Sequence, residues 1–415
     1  SINTLYKTKS DIQFKWNSNL FYDRSQFYYQ AKTINYLEND TLVFEDKQKI
    51  RSSPFLFSTG LNLMANKTHY FLNNALKLSI GKDANTGQII FNQNQFGQNL
   101  NRYYNQFSND FNWMPAIKNK GIFELRWYSS YGVNRQQLEI CKNYYFDISP
   151  QNGYYDTVVQ RIQSPTWSHN AYLSYKIPSS KIFQEYKVGY KKLEQVLNSS
   201  LYLISNAVSF PFVNDAGNNA KFTNEGAYIL AHYQIKRQKI NADLQLPISS
   251  QQIKSKQPLY FFDEKKSNYL FSPNLNLTYS FDNEKFLQST YQLQNGFGDI
   301  STAYNGTILL NYRSLQAFAP LFQQHISHKA NISYSHQKSI KLFFSNVGLS
   351  FNYLKANTIA SDSFSNNLTR TFYIPFFNVQ KIVSAYGGLS QYLFGLKAKI
   401  GLKFQPFLQP QTTSN

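Results

Sequence analysis

Apolar and polar residues alternate with a period of two along many segments of this chain. In 271–281, FSPNLNLTYSF, the side chains of Phe271, Leu277 and Phe281 fall on one side of an extended chain, and those of Asn274 and Asn276 on the other. This period is typical of a β-strand whose two faces meet different surroundings. About sixteen such segments recur, each near the nine to eleven residues of a tilted membrane-spanning strand. The pattern predicts an all-β protein.

The spacing of these segments predicts how the strands are connected. Short polar turns are expected at 23–26, 66–69, 117–121, 178–181, 236–239, 282–285, 336–339 and near residue 395. Long connections are expected at 38–53, 81–101, 134–166, 195–221, 249–267, 295–325 and 355–378. Such alternation is typical of an antiparallel up-and-down transmembrane β-barrel, with short turns at one end and long extracellular loops at the other. No run approaches eighteen apolar residues, so no membrane-spanning helix is predicted.

The composition supports strands. Aromatic residues make up 17% of the chain, with 32 Tyr and 35 Phe against 18 Gly and 2 Met. Aromatics near the predicted strand ends fit the interfacial girdles of membrane barrels, although Tyr and Phe are also simply good strand formers. The candidate girdle residues are Trp16, Tyr22, Tyr103, Trp113, Phe271 and Phe281. No linker or low-complexity block divides the chain, so residues 1–415 are interpreted as one barrel domain.

The net charge of +19 calls for an anionic neighbour. Alternation places a set of lysines on the lumen side, where they would attract an anionic solute or dock an acidic plug; solubility and packing are the simpler interpretation, which we favour. These are Lys77, Lys329, Lys397, Lys399 and Lys403. Other basic residues would meet the phosphates of outer-membrane lipid: Lys191, Lys192, Lys236, Arg237 and Lys239. Because Lys and Arg form no compact stripe, nucleic-acid binding is not predicted.

Nothing in the sequence indicates catalysis. No nucleophile motif, phosphate-binding loop or paired metal-ligand motif occurs. His325, His328 and His336 are the only histidine group, and alternation puts His328 on the lipid side, which favours an interfacial role over a metal site. The single cysteine, Cys141, has no neighbouring base that would activate it. We predict no enzyme activity, no cofactor and no metal.

Three runs in the second half of the chain carry a resemblance to a known family. GDISTAYNGTILLNYRSL, SHKANISYSHQKSIKLFFSNVGLSF and GGLSQYLFGLKAKIGLKF resemble the barrel region of Bacteroidota outer-membrane proteins related to TonB-dependent receptors, of the type with a carboxypeptidase-like regulatory domain. The resemblance covers most of the chain, and its motifs are structural. It implies a twenty-two-stranded barrel in the outer membrane of a Gram-negative bacterium, which admits a solute through long extracellular loops and contacts TonB through a plug.

The chain departs from that family pattern. No plug, TonB-contacting segment or regulatory domain is recognised, and no strand ending in an aromatic residue closes the sequence. We therefore expect a partial barrel that lacks the plug and the terminal strands. Two other interpretations stay open. One is a scaffold barrel in the outer membrane that transports nothing, and the other is a secreted, soluble all-β adhesin or sugar-binding protein with a dry core.

Overall fold

The computed structural model of the chain describes residues 1–36, 41–117, 121–141, 155–211, 217–318, 322–365, 368–408 and 411–413. One sheet of 23 strands contains almost all of them. The strands are β1 (Ile2–Lys7), β2 (Ile12–Tyr22), β3 (Ser25–Tyr36), β4 (Thr41–Asn66), β5 (Tyr70–Phe91), β6 (Asn94–Pro115), β7 (Ile122–Cys141), β8 (Thr157–Ile177), β9 (Ile182–Ser205), β10 (Val208–Pro211), β11 (Gly217–Lys236), β12 (Ile240–Gln257), β13 (Phe262–Phe271), β14 (Asn274–Ser280), β15 (Lys285–Phe297), β16 (Ile308–Asn311), β17 (Ser314–Phe318), β18 (Gln324–Lys338), β19 (Phe343–Ser365), β20 (Leu368–Leu393), β21 (Ala398–Phe404), β22 (Phe407–Leu408) and β23 (Gln411–Thr413).

In the described residues, helical structure is confined to short 3-10 turns at Pro258–Tyr260, Ile300–Thr302 and Phe394–Leu396. Within the described ranges, no helix has the length and apolar character needed to cross a membrane.

The sheet is an antiparallel meander. Pairing runs in the order β1, β2, β4, β5, β6, β7, β8, β9, β11, β12, β14, β15, β18, β19, β20, β21. The 23 strands reduce to sixteen when β3, β13, β22 and β23 are counted with the strands that they continue, and the short β10, β16 and β17 are left out. The predicted all-β, up-and-down architecture is confirmed.

The two faces of the sheet differ in character, and we define them by their residues. The outer face carries the apolar residues of the predicted alternation; Ile229, Ile248 and Leu349 lie there and are 61%, 54% and 56% exposed. The inner face carries their polar neighbours, such as Glu124 and Asn218, which are buried. We call the end with the β4–β5 and β11–β12 turns the turn end, and the opposite end the hairpin end.

The predicted turn at 23–26 is wrong. The chain does not reverse there, because β2 and β3 both pair with β4: Tyr22 lies opposite Phe55, and Ser25 opposite Ser52. The ladder is only interrupted, opposite Pro54, which has no amide hydrogen to donate. A matching interruption separates β13 from β14 opposite Pro247 of β12. A turn between β1 and β2, with Asp11 at φ 58°, was not predicted.

The other predicted short turns lie where expected or close by. Hydrogen bonds close those after β4, β11 and β14, for example from Lys67 N to Tyr70 O at 2.8 Å. The predicted turn at 336–339 is displaced, because β18 continues to Lys338 and the turn ends at Leu342. Residues 118–120 of the predicted turn at 117–121 lie outside the described residues.

Most residues of the predicted long connections belong to strands instead. β5 and β6 stay paired up to Phe91 and Asn94, so the expected loop at 81–101 is a hairpin with a two-residue turn. Likewise β19 and β20 stay paired from Ala356 to Ser365. The hairpins satisfy their backbone groups by extending the ladder beyond the apolar part of the outer face. Extended connections of this kind were interpreted as loops because their outer faces turn polar.

The described sheet has two open edges. β1 pairs with β2 alone, and β21, β22 and β23 pair with β20 alone. Among the described residues, no hydrogen-bonded ladder joins β1 to the last strands. The inner face nevertheless surrounds a common interior, because inner side chains of β4 and of β12 contact the same chain segment, 298–318.

Candidate functional site

Charged side chains near the turn end form a network on the inner face, which we call the inner ion network. Glu124 of β7 is 4% exposed and accepts hydrogen bonds from Lys176 Nζ at 2.5 Å and from Ser174 Oγ at 3.2 Å. Lys176 Nζ also lies 3.8 Å from Glu185 Oε1, and Lys187 Nζ lies 3.7 Å from the same oxygen. Each of the two buried carboxylates, Glu124 and Glu185, thus has a cation beside it, as buried charge requires.

A histidine extends the network to the next strands. His232 Nε2 lies 2.9 Å from Asp243 Oδ2, and His232 Nδ1 lies 3.5 Å from Glu185 Oε2. Gln234 and Gln245 donate to Asp243 at 2.9 and 3.3 Å. The described part of the chain contains no group of three or more His, Cys, Asp and Glu residues placed to bind a metal ion. The histidine therefore links two carboxylates rather than completing a ligand set.

A second ion pair lies on the neighbouring strands β6 and β7. Arg126 Nε and Nη2 donate to the two carboxylate oxygens of Asp110 at 2.8 and 2.6 Å. This two-pronged geometry is the strongest form of such a pair. Together with the inner ion network, it gives the turn end of the interior a polar, charge-balanced lining that suits water and polar solutes.

The hairpin end of the interior is covered by 298–318, which we call the inserted segment. It connects β15 to β18 and crosses the inner face instead of extending away from the sheet. Side-chain amides from five strands accept its backbone hydrogens, so these donors are satisfied without a ladder. The pairs are Ile300 N with Gln195 Oε1 (3.3 Å), Asn305 N with Gln257 Oε1 (3.1 Å), Gly306 N with Asn218 Oδ1 (2.8 Å), Leu309 N with Gln160 Oε1 (3.0 Å) and Tyr312 N with Gln98 Oε1 (3.0 Å).

Two apolar clusters lie between the inserted segment and the sheet. The first joins Leu309, Tyr312 and Leu315 to inner side chains of β4 to β9: Phe44, Ile89, Phe91, Phe96, Leu138, Ile140, Val158, Leu201 and Leu203, with Tyr155. The second joins Ile300, Ala303, Tyr304 and Ile308 to Leu197, Ala220, Phe222, Ile253 and Phe322. Burial of this apolar surface stabilises the docked segment. The β17 strand also pairs in parallel with β20.

One buried polar contact anchors the tip of the inserted segment. The hydroxyl of Tyr312 donates to the Asp46 carboxylate of β4, and Gln48 Nε2 donates to the same hydroxyl at 3.3 Å. Burial, reinforced by the hydrogen bond to Asp46, raises the pKa of Tyr312 far above its usual value. Burial also raises the pKa of Tyr304. Both hydroxyls are therefore protonated at neutral pH.

Alkaline pH is expected to loosen the inserted segment. Because the pKa of Tyr312 is higher in the docked than in the released state, its contribution is complete below about pH 10 and is lost as pH rises toward the raised value. The rate of protease cleavage within residues 298–318, compared at pH 8 and pH 11, measures this loss of docking. Tyr312→Phe should be more sensitive at pH 8 and show a smaller further increase at pH 11. An identical pH response in both proteins would show that another group controls docking.

The structure places most of the predicted lysines on the inner face but brings no two of them into contact. Lys77 lies opposite Ser108, and Lys329 opposite Gln292, both on the inner face. Lys399 and Lys403 lie on inner positions of β21. Lys397 does not belong to this row, because it ends the preceding 3-10 turn with a left-handed φ of 47°.

The predicted aromatic residues lie on the outer face at different heights. Tyr22 and Tyr103 lie where the apolar region of their strands ends on the side of the hairpin end. Phe281 lies in the turn after β14, where the centroids of its ring and the Tyr334 ring are 6.1 Å apart. Trp113 lies near the turn end of β6, and Phe271 is the last residue of β13, on the side of that strand nearer the turn end. Trp16 lies midway along β2, where its indole donates to Thr59 Oγ1 at 2.8 Å.

The amide residues that hold the inserted segment were not predicted. All five lie within the connections that the sequence analysis interpreted as loops. A signal was present, because the apolar residues change face along these strands. In β5 they occupy the outer face up to Ile80 and the inner face at Ile89 and Phe91. In β7 the same change separates Val133 from Leu138.

Comparison with known proteins identifies the fold. No family model matches the chain, and no curated protein matches it. Among solved structures, the copper transporter OprC matches at a TM-score of 0.52 and 10% identity, over 94% of this chain and 61% of OprC. The ferric citrate transporter FecA, in its unliganded form, matches at 0.51 and 8%, over 97% and 60%. The outer-membrane transporter YddB from Escherichia coli matches at 0.51 and 9%, over 97% and 55%.

These matches define the class of fold. The sheet is that of the β-barrels of outer-membrane transporters, at sequence identities that show the fold alone. The chain spans about three fifths of the length of OprC and FecA.

Proposed function

We propose that the chain is the barrel of an outer-membrane transporter that resembles TonB-dependent receptors, and that a polar solute passes through its interior. Further strands beyond β1 and β21 would close the barrel toward the twenty-two strands that the resemblance implies. A plug that contacts TonB would occupy the interior. The location is the outer membrane of a Gram-negative bacterium, with lipid as the immediate neighbour of the outer face.

The contrast between the two faces carries this proposal. Over the half nearest the turn end, the outer face exposes large apolar side chains such as Val188 and Ile229, while the inner face holds paired charges such as Glu124 with Lys176. Hydrocarbon outside and a wet interior inside are the surroundings that fit this arrangement. A soluble adhesin would need the apolar face covered, whereas the buried apolar clusters lie on the inner face at the hairpin end.

The inserted segment would narrow the interior on the side of the hairpins. Polar side chains hold it, and the inner ion network lies below it toward the turn end. The inner lysines Lys77, Lys329, Lys399 and Lys403 would add positive charge to the same interior. They would act in solubility and packing against a plug, with attraction of an anionic solute as their second possible role.

Membrane fractionation tests the placement. The full chain, secreted into the periplasm of a Gram-negative host, is expected in the outer-membrane fraction after a urea wash, and its electrophoretic mobility should change on heating. Recovery as a soluble monomer without detergent would contradict the proposal and favour the adhesin.

Uptake assays separate transport from a scaffold role. Cells that contain the full-length gene product should accumulate a labelled solute faster than cells without it, and a protonophore should abolish the difference. Labelled copper and ferric citrate are the first probes, because OprC and FecA are described as transporters of these solutes. Outer-membrane placement with no energy-dependent accumulation of any probe would favour the non-transporting scaffold.

A further inference from the structure

Three strands that lie close together in the sheet, β5, β7 and β8, change from uncharged to basic at the same boundary of the outer face. On β5, the outer positions from Tyr70 to Ile80 are uncharged and the next one is Lys82. On β7 the first charged outer residue after the turn end is Arg135, and on β8 it is Arg161. All three side chains are exposed. The apolar region therefore ends in cations on this part of the sheet.

The strand register brings these cations together. Lys82 lies opposite Tyr103, which lies opposite Arg135, so two strand spacings or roughly 10 Å separate their backbones. Arg161 is diagonal to Arg135, since the residue opposite Arg135 is Gln163. Lys82 Nζ lies 5.4 Å from the centre of the Tyr103 ring. One patch, which we call the basic patch, thus contains three cations and an aromatic platform.

The basic patch lines a cleft of about 880 Å³ that also includes Gln137 and Asn198. None of the residues that line the cleft is a carboxylate. On the same face, the Glu139 carboxylate accepts from Gln137 Nε2 at 2.6 Å. Among the described residues, no ion pair involves Lys82, Arg135 or Arg161. The residues that line the cleft therefore carry a net positive charge.

Apolar side chains lie next to the basic patch on the same strands, on the side of the turn end. Ile80 and Val133 precede Lys82 and Arg135 on the outer face. One step further toward the turn end, Phe107 lies opposite Tyr131, and the Tyr131 and Trp167 rings are 4.1 Å apart. An amphiphile whose hydrocarbon lies toward the turn end and whose anionic groups lie toward the hairpin end would match this order.

We propose that the basic patch binds the headgroup of a phosphorylated lipid in the outer leaflet, with its acyl chains against the apolar positions below. Two guanidinium groups bind phosphate oxygens in pairs, and the lysine adds a third charge. Three cations spread over three strand spacings fit a headgroup with more than one phosphate. The site lies outside the proposed transport path, on the opposite face of the sheet.

The basic residues that the sequence suggested for lipid contact do not form this patch. Arg237 and Lys239 lie in the turn between β11 and β12, at the turn end. Lys191 is on the inner face of β9, opposite Gly226. The cations that the fold collects at the apolar boundary come from strands that were interpreted as loops, since Lys82 and Arg135 fall in 81–101 and 134–166.

Lipid titration tests the proposal with a matched control. The full chain in detergent is titrated with purified diphosphorylated lipid A, and bound lipid is counted by native mass spectrometry. The triple variant Lys82→Gln, Arg135→Gln, Arg161→Gln should weaken binding roughly a hundredfold, since each cation near an anionic surface contributes about fivefold. The control is a second triple variant, Lys221→Gln, Lys254→Gln, Lys256→Gln. It removes the same charge from the same face, at lysines that are already paired with carboxylates. This control should change the affinity for lipid A by less than about threefold.

The outcomes distinguish the lipid from its phosphate and from the membrane placement on which the inference rests. Displacement of lipid A by an equal concentration of inorganic phosphate would overturn the lipid assignment. Equal affinities of the triple variant and the unmodified chain would overturn the patch. Both variants must retain heat-dependent mobility and outer-membrane location, so a failure of lipid binding is separable from a failure of the proposed function.

Discussion

Replacing Phe91 by alanine is expected to lower the free energy of docking of the inserted segment by about 3–5 kcal/mol. Phe91 is fully buried, at 0% exposure, on the inner face of β5. Its ring packs on Phe44 with centroids 5.7 Å apart and on Tyr312 at 5.6 Å, and the Arg313 guanidinium lies 5.4 Å from its centre. Alanine would leave a cavity that these three side chains cannot all fill at once.

Hydrogen exchange of the inserted segment measures this effect. Protection of the backbone amides of Leu309 and Tyr312 should fall by about a hundredfold or more in Phe91→Ala. Phe107→Ala is the matched control, because Phe107 is 48% exposed on the outer face of β6 and should leave these amides unchanged. Equal losses of protection in both variants would show that the first apolar cluster does not hold the segment.

Replacing Gly306 by alanine is expected to dislodge the middle of the inserted segment. A Cβ atom at this position would lie 2.2 Å from the carbonyl oxygen of Gly217 and 2.6 Å from the Tyr260 hydroxyl. The carbonyl belongs to the backbone of β11 and cannot move aside cheaply, so the segment must shift. The shift would also break the two hydrogen bonds between Gly306 and Asn218, for a total cost of about 1–3 kcal/mol or more.

The chain offers a control for this substitution as well. A Cβ atom at Gly395 would meet nothing within 4 Å beyond its own chain neighbours, so Gly395→Ala should leave the segment in place. Protease cleavage within 298–318 should become faster in Gly306→Ala alone. If transport is confirmed, the same variant should alter the uptake rate, because a displaced segment changes the width of the interior. An unchanged cleavage rate would show that the surroundings of Gly306 accommodate a methyl group.

Much of the fold could be predicted from local sequence. The period-two pattern identified the strands and their number, because each strand near the turn end exposes one face to apolar and the other to polar surroundings. Leu277 of β14 lies on the outer face as expected. The short turns followed from polar clusters between these runs. The polar cluster at residues 23–26 was the exception, because it marks an interruption of the ladder opposite Pro54 and not a reversal of the chain.

The candidate site could not be predicted in the same way. Its amide residues meet the inserted segment across large sequence separations: Gln160 contacts Leu309, and Gln98 contacts Tyr312. No local pattern links such positions. Lys399 and Lys403 share the alternation of β21 and lie on its inner face, whereas Lys397 lies outside it, because this residue ends the preceding turn in a left-handed conformation.

The amino-acid sequence by itself determined where strands form and which face is apolar near the turn end, since both depend on the side chains of consecutive residues. The tertiary structure decided what covers the other half of the inner face. The hairpins change their apolar face there because the inserted segment, not solvent or lipid, packs against them. That contact exists only once the strands from β4 to β12 have been brought around one interior, so it could be found only in the folded chain.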